Sequence, residues 1–154
     1  MDLKALLPPS HIVAALLPDE RRGVLRQLAA PLVNENIVTD LDRFLDDLEQ
    51  REQQMTTQIS AGVALPHARS NAVRRLGLTV GLTQPADAGI TYDPGAPGPC
   101  RVFFLIAVPA FAPAAHLPVL QALANFAHDH ERIEKLLNAP SAAKAARMIV
   151  AFKG

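Results

Sequence analysis

The sequence predicts an α/β fold, a single-domain sandwich in which a central mixed sheet of about five strands is flanked by helices on both faces. Segments with an apolar residue every three or four positions alternate with short apolar runs, as in helices that alternate with strands. The segment 101–108 is apolar almost throughout, which is typical of a strand covered on both faces. With 154 residues, the chain has room for one core, and we expect one domain over residues 1–154.

The first predicted elements are a short strand and a helix. The apolar run 11–16 is stopped by Pro18 and fits a strand, although its pattern alone also fits a helical turn. Asp19 is the expected cap of a helix that ends near Asn34. The three- and four-residue spacing of its apolar positions predicts one buried face, formed by Val24, Leu25, Leu28, Ala29 and Leu32.

A second helix is expected after Thr39, because Asp42 three positions later gives a weak capping pattern. Its far end carries Arg51 towards the loop at 57–67. The predicted buried face consists of Leu41, Phe44, Leu45 and Leu48.

Two strands are predicted in the middle of the chain, at 59–65 and 76–83. In the second of them, four apolar residues alternate with glycine and threonine. Residues 84–100 are rich in proline and glycine, so we expect a loop there with a brief strand at 90–92.

The last third of the chain begins with the expected central strand at 101–108. Pro118 then occupies a position that the first turn of a helix tolerates. A short helix at 131–138, a break at Pro140 and a helix capped by Ser141 follow. The buried side of the helix after Pro118 is expected to consist of Leu117, Leu120, Ala124 and Ala127.

Charge and cysteine content exclude several classes of protein. Fifteen Lys and Arg balance fifteen Asp and Glu, so nucleic acid is not an expected partner. Cys100 is the single cysteine, which excludes an intrachain disulfide and fits a reducing cytoplasm. The segment 102–127 has no charged residue, but prolines and polar residues interrupt it, so we expect no membrane insertion and a cytoplasmic protein.

The stretch 51–69 contains the most reactive arrangement in the chain. Pro66 fixes its own φ and pushes Leu65 towards extended geometry, so the imidazole of His67 is presented from a stiffened strand end. A neutral imidazole nitrogen is a nucleophile near physiological pH and can accept a phosphoryl group and pass it on. A Pro-His dipeptide alone, however, more often marks a histidine that fills a polar gap.

Three further residues are candidates for the same site, each with a structural alternative. His116 lies at a predicted helix start, where backbone N–H groups attract an anion, or it simply bonds the backbone. Arg51 can grip two phosphoryl oxygens, or it is an exposed helix-end arginine whose neighbour Glu52 faces solvent. Thr57 can donate its hydroxyl to the same oxygens or close the turn.

The other histidines and the cysteine carry less weight. One alternative is a metal hydrolase that uses His67, His116 and the cluster His128, Asp129 and His130. Within that cluster His130 has the one-turn spacing to Glu134 that a pair of metal ligands could use, but no third and fourth ligand for this pair is obvious. We therefore expect no metal site. His11 is expected on a strand edge, and Cys100 as a buried, inert thiol.

The stretch 51–69 resembles the enzyme IIA domain of the fructose and mannitol class of the bacterial sugar phosphotransferase system. The resemblance rests on Arg51 and Glu52 at a helix end, Thr57 six positions after that arginine, and Gly-x-Ala-Leu-Pro-His at 62–67. It extends over essentially the whole chain. It implies that His67 carries the phosphoryl group, that His116 lies beside it, and that Arg51 and Thr57 bind the phosphate.

The resemblance also implies partners. A histidine phosphocarrier protein would supply the phosphoryl group, and an enzyme IIB domain or a regulatory target would receive it, with no cofactor. The family includes a nitrogen-related regulatory branch. The alternative is a binding module that has the same fold and transfers nothing.

Overall fold

The computed structural model describes residues 3–60 and 62–153. The strands of this part are β1 Ile12–Val13, β2 Gln58–Ser60, β3 Val63–Ala64, β4 His67–Ser70, β5 Gly77–Leu82 and β6 Val102–Pro109. The helices are α1 Leu3–Leu6, α2 Arg21–Asn34, α3 Leu41–Gln54, α4 Leu117–Ala127, α5 His130–Leu137 and α6 Ala142–Val150, with a 3₁₀ turn at Pro9–His11.

The strands form one mixed sheet in the order β1-β5-β6-β3-β2, and β4 also pairs with β6. β6 runs antiparallel to β5 and parallel to both β3 and β4. Every residue of β6 is buried. The predicted central strand is therefore confirmed.

Helices cover both faces of the sheet because side chains alternate along β6. Phe104 and Ile106 face the side that carries α4, α5 and α6. Phe103 and Leu105 face the side that carries α2 and α3. On this second side α2 lies so close that a Cβ added to Gly81 would be 2.4 Å from a methyl carbon of Leu28. The predicted α/β sandwich is confirmed.

The buried faces of α2 and α3 agree with the prediction, but their caps differ. α2 begins after Glu20, and the Asp19 carboxylate accepts from the N–H of Glu20. α3 is capped by Asp40, whose side chain accepts from the N–H of Arg43 at 3.1 Å. The Thr39 hydroxyl donates instead to a carbonyl in the segment that follows β4. Both predicted caps are therefore wrong by one residue.

The predicted buried side of α4 is largely wrong. The residues that face the core are Val119, Leu123, Phe126 and Ala127. Leu117 is 52% exposed, and Leu120 and Ala124 are half-buried. α4 is apolar on two sides, so its spacing alone does not decide which side meets the sheet.

The segment predicted as one strand at 59–65 folds as a hairpin. β2 and β3 pair in antiparallel fashion, and Gly62 in the turn has φ +87°, a conformation that favours glycine. Residue 61 lies outside the described part of the chain. Beyond Pro66 the chain continues along β6 as β4, so His67 begins a strand instead of ending one.

Most other elements agree with the sequence. Ser141 caps α6, and residues 84–100 form a loop whose only pairing in the described part is a single bridge between Ile90 and Cys100. His11 ends the 3₁₀ turn directly before β1, the strand at one edge of the sheet, and there it is 3% exposed and bonds the Leu78 carbonyl and Glu35. No helix in residues 3–60 or 62–153 has the length and apolarity needed to cross a membrane.

Candidate functional site

An open cleft of about 370 Å³ lies where α3, β4 and the start of α4 meet. α3 contributes Arg51 from its last turn. β4 contributes His67 and Arg69, and α4 begins directly after His116. Each of the four side chains therefore comes from the end of a regular element, which fixes its position.

The two histidines that the sequence singles out converge in this cleft. Their ring centroids are 5.5 Å apart and their planes are tilted by 34°. They are distant along the chain, and the start of β4 and the start of α4 bring them together. The expected convergence of His67 and His116 is met.

The proton of His67 has a defined place. Its Nδ1 is 2.7 Å from the carbonyl oxygen of Leu65. A carbonyl oxygen only accepts, so in the neutral ring Nδ1 carries the hydrogen and Nε2 keeps its lone pair. Pro66 lies between the two residues and limits the backbone freedom of this short loop. The local backbone thus selects the tautomer that leaves Nε2 nucleophilic.

The environment of His67 also keeps its ring neutral. Burial lowers the pKa of His67 below 6.5, and the positive charges of Arg51 and Arg69 lower it further. The bond to the Leu65 carbonyl and the charge of Glu52 act in the opposite direction, but the net shift is downward. At neutral pH the Nε2 lone pair is therefore available.

His116 is more buried than His67. It is 4% exposed, and its Nδ1 has no hydrogen-bond partner among the described residues. Burial lowers the pKa of His116, with smaller contributions from His67 and Arg69. An unsatisfied buried polar atom costs about 1–3 kcal/mol, and such a group calls for a functional explanation.

Two arginines supply positive charge to the cleft. Arg51 donates to the carbonyl of Met55 at 2.8 Å, which holds it at the end of α3. Arg69 donates through Nε to the carbonyl of Pro113 at 2.8 Å. Arg69 is not among the residues that the sequence predicts. Its position two residues after His67 places it on the same face of β4, but the predicted strand ends at residue 65 and so does not include it.

Thr57 is directed into the protein. It is 3% exposed, and its hydroxyl and N–H donate to the two carboxylate oxygens of Glu52, both at 2.6 Å. Of its two interpretations, the geometry favours closure of the turn. The expected solvent exposure of Glu52 is wrong, since it is 8% exposed. Leu45, Leu48 and Glu52 follow the three- and four-residue spacing of one helix face, which places the carboxylate inside.

Apolar side chains border the cleft on one side. A second groove of about 470 Å³ shares His67 and Arg51 with the first and is lined largely by apolar groups. Met55 is 69% exposed, Ile59 48% and Leu117 52%. Leu117 is exposed because other residues of α4, among them Val119 and Leu123, face the core. The histidine pair is therefore bordered by an apolar surface that is open to another protein.

The cluster at 128–130 has structural roles. Asp129 caps α5 by accepting from the N–H of Glu131. Glu134 pairs with Arg101 at 2.6 Å and lies 3.7 Å from His130. In the part of the chain that the structure describes, no three His, Cys, Asp or Glu side chains gather as a metal site would require.

Comparisons with known proteins agree on one family. Residues 5–151 match the family model "Phosphoenolpyruvate-dependent sugar phosphotransferase system, EIIA 2". The "PTS system fructose-specific EIIA component" of Haloferax volcanii is 33% identical over 140 residues, which are 91% of this chain and 89% of that protein. The "Nitrogen regulatory protein" of Bradyrhizobium diazoefficiens is 30% identical over 158 residues, 99% of this chain and 96% of that protein.

A solved structure shows the same fold. The crystal structure of "Nitrogen Regulatory Protein IIA-Ntr" from Neisseria meningitidis superposes with a TM-score of 0.82 at 24% sequence identity. The superposition covers 96% of this chain and 98% of that one.

Proposed function

Because the chain belongs to the enzyme IIA type 2 family of the phosphoenolpyruvate-dependent sugar phosphotransferase system, we propose that His67 is its phosphoryl carrier. The observation that carries this proposal is the free Nε2 of His67, which the Leu65 carbonyl leaves unprotonated inside an open cleft. The phosphoryl donor is the phosphohistidine of a histidine phosphocarrier protein.

The transfer is a single displacement at phosphorus. The Nε2 lone pair of His67 forms the new N–P bond while the N–P bond of the donor breaks, and the electron pair of that bond returns to the donor imidazole. The Nδ1 proton stays in place, so the phosphorylated ring carries positive charge that the Leu65 carbonyl stabilises. This charge keeps the N–P bond labile for the second transfer.

The neighbouring side chains stabilise the charge on the moving group. Arg51 and Arg69 border His67 and can donate to phosphoryl oxygens as they spread their negative charge. His116 holds a buried Nδ1 that has no partner among the described residues, and a phosphoryl oxygen on His67 would supply an acceptor for a hydrogen on the His116 ring. Thr57 does not contact the phosphoryl group, because its hydroxyl donates to the carboxylate of Glu52.

The second partner is an enzyme IIB domain or a regulatory target. Both partners must meet the same cleft in turn, so the interface has to be brief. The exposed apolar groups of Met55, Ile59 and Leu117 provide a docking surface of this kind. Family members of both the fructose-specific and the nitrogen-regulatory kind are similar to this chain, and we propose the carrier step as common to both roles.

Labelling with radioactive phosphoenolpyruvate, enzyme I and the histidine phosphocarrier protein tests the proposal. Wild type should gain a label that is lost in acid and retained in alkali. His67→Ala should gain none. His128→Ala is the matched control, because His128 is exposed and lies at the other end of α4, and it should be labelled like wild type. A stable label on His67→Ala would refute the assignment.

A second candidate is a binding module with this fold that transfers nothing. The apolar border of the cleft favours it, since a docking surface needs no nucleophile. The same labelling experiment separates the two functions. A wild-type protein that takes no label but still binds the phosphocarrier protein would support the second.

A further inference from the structure

Glu52 is a buried carboxylate close to the site that the transfer step does not use. It lies on α3 directly after Arg51, and its side chain is buried in the core. One oxygen accepts from the N–H of Thr57, and the other accepts from the hydroxyls of Thr57 and Tyr92, each at 2.6 Å. A carboxylate has room for all three donors at once. These bonds hold the backbone and the side chain of Thr57 in place.

The segment that Glu52 holds leads to the imidazole of His67 through consecutive hydrogen bonds. The carbonyl of Thr57 accepts from the N–H of Leu65 at 2.8 Å. The carbonyl of Leu65 in turn accepts from Nδ1 of His67 at 2.7 Å. Each contact is within normal hydrogen-bond distance. The carboxylate on α3 is therefore connected to the reactive ring through two residues of the β2–β3 hairpin.

The link between Thr57 and Leu65 closes the open end of this hairpin. Thr57 lies directly before β2, and Leu65 lies directly after β3. β2 and β3 are short and their pairing contains a register shift, so the hairpin has little ladder of its own to fix its open end. Glu52 supplies an external anchor at Thr57, which is 3% exposed.

We propose that Glu52 is a positioning residue for His67: through Thr57 and Leu65 it orients the carbonyl oxygen that keeps the hydrogen on Nδ1 and the lone pair on Nε2. The role of this geometry in catalysis rests on the proposed carrier function. The geometric part stands by itself, because the tautomer of His67 can be measured without any transfer.

Glu52 can act on His67 through its charge as well as through the hydrogen-bonded path, and the other groups near the two residues are the following. Arg21, Tyr92 and Cys100 lie within electrostatic reach of Glu52. Arg51, Arg69 and His116 face His67. The charge of Glu52 raises the pKa of His67, so a variant that loses only the charge should move the acid limb of the labelling profile to lower pH.

Two substitutions at residue 52 test the proposal in opposite ways. Glu52→Asp keeps the charge, but its shorter side chain cannot reach Thr57 in the same geometry. Glu52→Gln keeps the reach, since its amide oxygen can accept from the Thr57 N–H while its NH₂ donates to the hydroxyls, and it loses the charge. Tyr92→Phe is the matched control, because it removes a donor from the same carboxylate without breaking the path to His67.

The primary readout is the fraction of His67 with hydrogen on Nδ1, from imidazole ¹⁵N shifts in the neutral ring. Wild type, Glu52→Gln and Tyr92→Phe should be mainly in the Nδ1–H form, and Glu52→Asp should lose this preference. Initial labelling should slow about tenfold in Glu52→Asp, as expected when an orienting partner is lost. In Glu52→Gln it should stay within a factor of about two at neutral pH.

Several results would overturn the proposal. One is a wild-type tautomer in Glu52→Asp, and another is the same tautomer shift in Tyr92→Phe, since that would indicate loss of stability alone. Amide exchange in wild type adds a test that needs no variant: Thr57 and Leu65 should both be strongly protected, and rapid exchange at either would break the path. A wild type that takes no label refutes the carrier function but leaves the tautomer result to decide this proposal.

Discussion

Arg69→Gln is the most informative substitution in the cleft, because it removes a charge that the sequence pattern does not single out. Arg69 lies two residues after His67 on β4, and its Nε holds the carbonyl of Pro113 in the loop before His116. The substitution therefore removes a cation that lines the cleft beside His67 and frees a loop that leads to the second histidine.

The expected loss follows from the size of one charged hydrogen bond. Such a bond contributes about 1.5–3 kcal/mol, and each 1.36 kcal/mol of transition-state stabilisation is about a factor of ten in rate. Arg69 is exposed, so solvent and salt reduce its effect to the lower end of that range. We expect the initial labelling rate of Arg69→Gln to fall about tenfold, with a larger difference at low salt.

The pH profile gives a second, independent signal. Arg69 lowers the pKa of both His67 and His116. Removing it raises both, so the ring of His67 becomes protonated at a higher pH and the acid limb of labelling moves upward. The control is Arg75→Gln, which removes an exposed arginine that lies outside the cleft. If Arg69→Gln and Arg75→Gln have the same rate and the same profile, Arg69 has no part in the site.

Three further predictions concern the same elements. His116→Ala should keep phosphoryl acceptance but slow onward transfer to the partner, and equal rates of onward transfer in a quench assay would contradict its role. Tyr92→Phe removes a 2.6 Å bond to a buried carboxylate, so urea unfolding should show a loss of about 1.5–3 kcal/mol; an unchanged midpoint and slope would argue against that bond. The pKa values of His67 and His116 are both lowered from 6.5 in the folded state, so the unfolded chain binds more protons as pH falls. Stability should be full above pH 6.5 and should decline below it as pH approaches the lowered values, and His67→Gln should make this decline shallower.

The parts of the fold that the sequence predicts well are those with a strong local signal. The buried faces of α2 and α3 and the apolar strand β6 follow from spacing alone, because each element has one unambiguous pattern. α4 is the counterexample. Both of its sides are apolar in the sequence, and the tertiary packing decides that Val119, Leu123 and Phe126 meet the sheet while Leu117 stays exposed beside the cleft.

The candidate site divides in the same way. His67 and His116 are visible in the sequence through their neighbours, and the structure brings their rings together. Arg69 is missed because the continuation of the strand as β4 depends on tertiary pairing with β6. Glu52 is missed because a charged residue is expected outside, although its spacing places it on the buried face of α3. By local rules Pro66 favours the end of a strand. The strand resumes because β6 offers partners on both sides of that proline.

The single cysteine, Cys100, can report when the core around it opens to solvent. Cys100 is fully buried, and burial raises the pKa of its thiol to about 12. A water-soluble thiol reagent can therefore react only when the core layer that covers Cys100 opens, a layer that includes Ile90 and Tyr92 of the 84–100 loop. The rate of modification thus counts openings of that layer, and partner binding or phosphorylation that tightens it would register as slower modification without any engineered label.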